Sequence, residues 1–234
     1  MKTSDKLMVG LLLVGLLTLV GSTVALKAEH DKIDFNDPFY GYSATTIKPF
    51  RVLKIEVDSA NKQPVKSTQT AISIQVGKSF AIRRQDQSSV PFTYRSVGDT
   101  LLVRYKPERI YWHNSTDDLL ATKPFAYIIV PSIGGLVANG AICTLTGLNT
   151  DSLQITSTNA LVRIDKSIIG QLTASGQRGS FLQTASANRI KAATITTCDS
   201  TGFTAERDVF GSLSMQNDAN TMISLPASLL RKLQ

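Results

Sequence analysis

Hydrophobic and polar positions change rhythm three times along the chain. From Leu7 to Leu26, the run LMVGLLLVGLLTLVGSTVAL carries no charge over 20 residues and is apolar on every helical face. At about 1.5 Å per residue such a helix reaches about 30 Å, the thickness of a bilayer core. Lys2 and Lys6 precede it, and Lys27, Glu29, Asp31 and Lys32 follow with balanced charge. The positive-inside rule then leaves the N-terminus in the cytoplasm and places residues 27–234 across the membrane. The expected element is one N-terminal transmembrane helix acting as an uncleaved signal anchor. Thr23-Val24-Ala25 makes a cleaved signal peptide the alternative. No cysteine lies near the run, which excludes lipoprotein attachment there.

The next stretch is irregular. Asp37, Pro38, Gly41 and Pro49 break any helix, and Phe35, Phe39, Tyr40, Tyr42 and Phe50 cluster among them. Residues 27–49 read as a juxtamembrane segment ending in an aromatic lid over a core. From Phe50 onward the period is two, and strands are predicted at 50–57, 71–76, 79–85, 91–97 and 100–105. Polar, proline-bearing loops are predicted at 58–70 and 106–126.

The third rhythm is a repeat. Segments beginning at Leu136, Leu153, Leu172, Thr194 and Leu213 align with start spacings of 17, 19, 22 and 19 residues. Each holds a short strand, a small polar turn, a second alternating strand and an apolar close. The turns include Asn139-Gly140, Ser175-Gly176, Asp199-Ser200 and Asn217-Asp218, and Gly170 and Gly211 fall at equivalent closing positions. Leu153, Leu172, Ile195 and Leu213 keep a near-constant register against their turns. A period near 20 without a helix predicts an all-β, parallel β-helix-like solenoid whose coils bury a core by stacking. An antiparallel sandwich is the competing fold. Residues 50–135 are then the N-terminal strands of the solenoid domain and 136–231 its regular coils of about 19 residues. Leu225-Pro226 and Leu229-Leu230 read as a terminal cap, since an open end invites strand addition.

Composition narrows the function classes. Of 234 residues, 18% are charged and 42% hydrophobic, which argues against disorder. Two cysteines and two histidines argue against a disulfide scaffold and against a metal centre. The net charge is +7, of which four units fall within residues 78–109, where seven basic side chains face Asp86, Asp99 and Glu108. The coils from 136 to 231 carry almost none; Ser and Thr occupy their outward positions instead. No polybasic stripe suits nucleic acid. Lys78, Arg83, Arg84, Arg95, Arg104 and Lys106 are the candidate binding residues, a patch for an anionic ligand. Alternation sends Arg104 and Lys106 opposite Val103 and Tyr105.

In the opening strand Phe50-Arg51-Val52-Leu53, the hairpin Tyr94–Tyr105 and the strand Tyr127-Ile128-Ile129-Val130-Pro131, the sequence resembles the auto-transporter adhesin head GIN domain, a family of envelope proteins common in Bacteroidetes. The resemblance covers about residues 48–231. It implies a right-handed parallel β-helix-like fold outside the cytoplasm and offers no catalytic residues to transfer. The loop at 106–126, the Asn61–Thr70 insertion and the anchor depart from the family pattern.

Other constellations carry little chemistry. Gly77-Lys78-Ser79 lacks the earlier glycine of a phosphate-binding loop, since Ile72 stands there. His30 and His113 have no nucleophile in local spacing, and Asn114-Ser115-Thr116 matches a glycosylation sequon by chance. Asp117-Asp118 read as solubilising residues of the long loop. Asp165, Glu206 and Asp208 are matched by Arg163, Lys166 and Arg207, a mixed solvated face. Cys143 and Cys198, three coils apart, are expected as free buried thiols. The sequence therefore points to a non-enzymatic, membrane-anchored bacterial envelope protein that needs no cofactor. Its partners are the membrane through residues 7–26 and an anionic glycan or another envelope protein. A polysaccharide-active β-helix enzyme is the alternative.

Overall fold

The structure, a computed structural model, describes residues 3–31, 33–34, 37–58, 71–106 and 123–232. Of the expected loops at 58–70 and 106–126, residues 59–70 and 107–122, with His113, the sequon and Asp117-Asp118, lie outside the described residues, and the end of the second loop enters the strand that begins at Ala126. The chain divides into two compact units, Met1–Gly41 and Tyr42–Gln234.

The first unit is dominated by α1 (Thr3–His30). Its leucines and valines are exposed on all sides, and Leu7–His30 is long and apolar enough to cross a membrane. The hydroxyls of Thr18, Ser22 and Thr23 donate within the helix. Thr18 donates to the Gly15 carbonyl at 2.8 Å, Ser22 to Leu19 at 2.9 Å and Thr23 to Leu19 at 2.7 Å. Each of these three hydroxyl protons is bonded to a helix carbonyl, which lowers the cost of a hydrocarbon surrounding.

The second unit is mostly β, in two large mixed sheets. Its early strands are β1 (Tyr42–Thr46), β2 (Val52–Val57), β3 (Ala71–Val76), β4 (Ala81–Gln85), β5 (Phe92–Val97), β6 (Thr100–Tyr105) and β7 (Ala126–Val130). The later ones are β8 (Gly135–Asn139), β9 (Ile142–Thr146), β10 (Asn149–Thr158), β11 (Leu161–Asp165), β12 (Ile168–Gln177), β13 (Phe181–Thr184), β14 (Arg189–Thr197), β15 (Gly202–Ala205), β16 (Phe210–Asn217) and β17 (Met222–Ser224). One sheet has the order β1-β4-β7-β3-β9-β11-β13-β15-β17, the other β16-β14-β12-β10-β8-β2-β6-β5. From β8 onward successive strands alternate between the sheets, and every pairing there is parallel. β1 lies inside the stretch that the sequence leaves irregular; it adds antiparallel to β4. Between the sheets, Leu53, Ile55, Ile72, Ile74, Leu101, Ile128 and their neighbours form one continuous core.

The ladder corrects the repeat register. Leu153 pairs with Leu172, Leu172 with Ala193 and Ala193 with Leu213. Ile195 stands instead in the neighbouring inward column, with Leu136, Ile155, Ala174 and Met215. The two columns are two residues apart on one strand face, so both point inward. Their mixture of Leu, Ile, Ala and Met is what obscures the frame when only apolar identity is compared. Gly170 and Gly211 do share a column, with Asp151 and Lys191 between and before them.

Three kinds of corner turn the chain between strands. At the first, Gly140, Asn159, Gly179 and Ser200 take positive φ. At the second, Gly147 and Lys166 do so. These are left-handed positions where glycine and asparagine are least strained. The third is a break inside β10, β12, β14 and β16 at the Asp151–Gly170–Lys191–Gly211 column, where the burial alternation changes phase. After β17, α2 (Ala227–Lys232) puts Leu229 into the core, while Leu230 stays half exposed.

Both cysteines are free. Cys143 is buried in β9 and Cys198 is half-buried after β14. Burial pushes the Cys143 thiol up to about 12 because it disfavours the thiolate. The disulfide reagent DTNB is therefore expected to titrate only Cys198 in the folded chain and both thiols in denaturant. Two fast equivalents without denaturant would contradict the placement of Cys143.

Candidate functional site

The expected basic residues are distributed over two sheets. Lys78 is exposed in the turn between β3 and β4. Arg83 and Arg84 are adjacent on β4, so they point to opposite faces. Arg84 Nη2 donates to the Ser88 and Val90 carbonyls at 3.0 Å each, which ties the following turn. Arg95 and Arg104 lie in the other sheet. Thr93 pairs with Arg104 and Arg95 with Leu102, so the two arginines share the outward face. Both line one shallow recess with Thr93, Tyr94 and Leu102. Lys106 follows β6 and lines an adjoining groove with Arg104.

That groove encloses about 640 Å³ at the ends of β2, β6 and β8. Its walls include Glu56, Asp58, Thr93, Arg104, Lys106 and Asn139. Glu56 is the centre of its electrostatics. Lys54 Nζ stands 2.7 Å from one carboxylate oxygen and Arg104 Nε 2.7 Å from the other. Lys54 and Glu56 alternate onto one face of β2, and the parallel register sets Glu56 beside Arg104. Sequence reasoning singled out neither Lys54 nor Glu56. Their i, i+2 spacing shows a shared face, but nothing local shows the approach of Arg104.

The hydrogen bond from Lys54 holds the Glu56 carboxyl below its ordinary value near 4.5, helped by Arg104 and opposed by partial burial. A general acid needs the opposite shift. The groove thus brings an arginine beside a carboxylate, yet holds that carboxylate ionised between two cations. A lowered carboxyl contributes stability above its unfolded value and loses it as pH falls through the folded one. Glu56→Gln is expected to cost under about 1 kcal/mol at neutral pH, since both cations are largely exposed. It should also flatten the acid limb of the stability curve below about pH 4.5, read as urea midpoints by far-UV circular dichroism.

A second groove, of about 790 Å³, follows the Gly170–Gly211 column and mixes Arg189, Lys191 and Arg207 with Asp151 and Asp208. Of the mixed-charge set, Arg163 pairs with Glu206 at 3.0 Å. Glu206 also accepts from Gln183 Nε2 and the Ser186 backbone amide, at 3.1 and 3.0 Å. Among the described residues no three His, Cys, Asp or Glu side chains gather for a metal.

The outward face of β10, β12, β14 and β16 has a different character. Gln154, Thr173, Thr194 and Ser214 form one column across the four strands. Thr156, Ser175, Thr196 and Gln216 form the next. Beyond the bend, residues 152–158, 171–177, 192–198 and 212–217 contain no charged side chain.

No family model and no curated protein matches the chain. Among solved structures, a candidate adhesin from Bacteroides fragilis is similar to it at 13% identity with a TM-score of 0.32; the match covers 79% of this chain and 96% of that one.

Proposed function

We propose that the chain is a membrane-anchored protein of the bacterial envelope whose β unit, read as a parallel β-helix-like solenoid, displays a non-catalytic interaction surface outside the cytoplasm. The observation that carries this reading is α1, a helix apolar and exposed on every side and able to span a bilayer. The solenoid reading is supported by strands that alternate between sheets and meet their parallel partners 19 to 21 residues later. The same reading includes the GIN family assignment and an anionic glycan as partner for the basic edge. That edge narrows to Arg95, Arg104 and Lys106, which line neighbouring recesses. The ionised, doubly paired state of Glu56 favours display over hydrolysis.

Membrane fractionation with external protease tests the topology. The full chain should stay with membranes after an alkaline carbonate wash and lose its β unit to protease added outside. Recovery of a shortened chain in the soluble fraction would overturn the anchor. New reducing ends from any anionic polysaccharide would overturn the non-catalytic role.

A further inference from the structure

We propose that the uncharged outward face of β10, β12, β14 and β16 is a docking surface for an uncharged polysaccharide chain. The inference rests on the display reading above and names a partner for it. Four parallel strands in register put Thr173 beside Thr194 and Ser175 beside Thr196. Sheet geometry spaces such positions by about 4.8 Å between strands and roughly 6.6 Å along them. Outward hydroxyls and amides therefore repeat on a two-dimensional grid. Among the described residues, the side chains of Thr173, Ser175, Thr194 and Thr196 make no hydrogen bond within the protein, so their donors and acceptors all face outward.

The absence of charge is specific to this face. The charged residues of the same strands, Asp151, Arg189 and Lys191, lie at or before the bend. The opposite sheet carries the Arg163–Glu206 pair. An ionic partner would find nothing to neutralise here. A neutral, hydroxyl-rich polymer leaves no buried charge unpaired on contact. Threonine suits that partner: its hydroxyl both donates and accepts, its methyl meets the C–H face of a sugar ring, and its branched Cβ limits the rotamers to be frozen. The area decides against a second copy of the chain. Four strands of about seven residues present about 400 Å², half of the roughly 800 Å² per partner in a stable interface. A polymer offsets weak single contacts by engaging several grid positions at once.

The test is retention of the full-length chain, in lipid nanodiscs free of sugar detergents, on insoluble amylose, cellulose and chitin. Retention is expected on at least one of them and should persist at high salt. Thr194→Glu, which places a charge at the centre of the grid, should reduce it about tenfold. Thr194→Ser should keep it. Thr194 is exposed, and unchanged far-UV circular dichroism melts of both variants would show that the fold is intact. No retention on the three polymers overturns the proposal, as does equal retention of Thr194→Glu. Loss of retention at high salt overturns it in favour of the basic edge. A dimer seen by light scattering and abolished by Thr194→Glu overturns it in favour of self-association. Retention in vitro does not depend on membrane side, so a failed topology experiment and a failed retention experiment are distinguishable.

Discussion

Gly170→Val is expected to lower the unfolding free energy by about 3 kcal/mol, the upper end of what overpacking costs. A Cβ at Gly170 would sit 2.5 Å from the Asp151 carbonyl oxygen, and one at Gly211 would sit 2.6 Å from that of Lys191. These obstacles are backbone atoms inside a hydrogen-bonded ladder, so no flexible side chain can give way. The column alternates Asp151, Gly170, Lys191 and Gly211, so each residue with a side chain is followed by one without. The bend lets a carbonyl lean into the space that the glycine vacates. Gly98 provides the contrast. It has positive φ and open space around its missing Cβ, so Gly98→Ala is expected to cost only about 1 kcal/mol, from conformation alone. Urea titrations of the detergent-solubilised chain, followed by far-UV circular dichroism, measure both. A Gly170→Val midpoint equal to that of the parent would mean that the close approach at the bend is not real.

The bend also shows what the sequence could and could not reveal. Gly170 and Gly211 were recognisable as equivalent because a glycine pair at matching places in a repeat is conspicuous. The reason for the pair, a carbonyl of the strand before it, is a contact across about 20 residues that no local pattern encodes. α1 was legible because an uncharged run has one physical solution. β3 and β6 were legible because alternation is bounded by Gly77 and by Gly98-Asp99. β1 was missed: four of its five residues are exposed, so it carries no inward period. The basic residues from Lys78 to Lys106 are close in sequence, but the chain changes sheets between β4 and β5, and nearness in sequence then misleads. Glu56 and Arg104, 48 residues apart, are neighbours only through the parallel register. The uncharged face was visible earlier as hydroxyls replacing charges, and the ladder adds that they share one surface.

Asn188→Leu is expected to be strongly damaging for a corner substitution, at about 3 kcal/mol. Asn188 is 4% exposed and resembles a surface turn residue only in sequence. Its Nδ2 donates to the Ile164 carbonyl at 2.7 Å and to the Ala185 carbonyl at 2.9 Å. Its Oδ1 accepts from the Ser167 amide at 2.9 Å. Ser167 Oγ continues the column: it accepts from the Leu148 amide at 3.1 Å and donates to the Asp165 carbonyl at 2.8 Å. Buried side chains thus supply the acceptors that the Ser167 and Leu148 amides do not find in the backbone. Leucine keeps the volume but leaves the buried Ser167 amide unpaired, at about 1–3 kcal/mol, and strips one of two hydrogen bonds from the Ile164 and Ala185 carbonyls, which keep the Ala185 and Asn188 amides; its apolar burial offsets part of the loss. Ser167→Ala should cost about 2 kcal/mol. The double substitution should cost less than the two losses added together, because Asn188 and Ser167 share one bonded chain. Asn188→Asp separates polarity from donor capacity. Ionised, it accepts from Ser167 but repels the two carbonyls, so its folded pKa rises. Its stability should be best below about pH 4, where the carboxyl donates one hydrogen bond, and should fall as pH rises through the folded value. If Asn188→Leu instead costs under 1 kcal/mol by urea midpoint, water reaches these carbonyls and the corner column is not a dry part of the core.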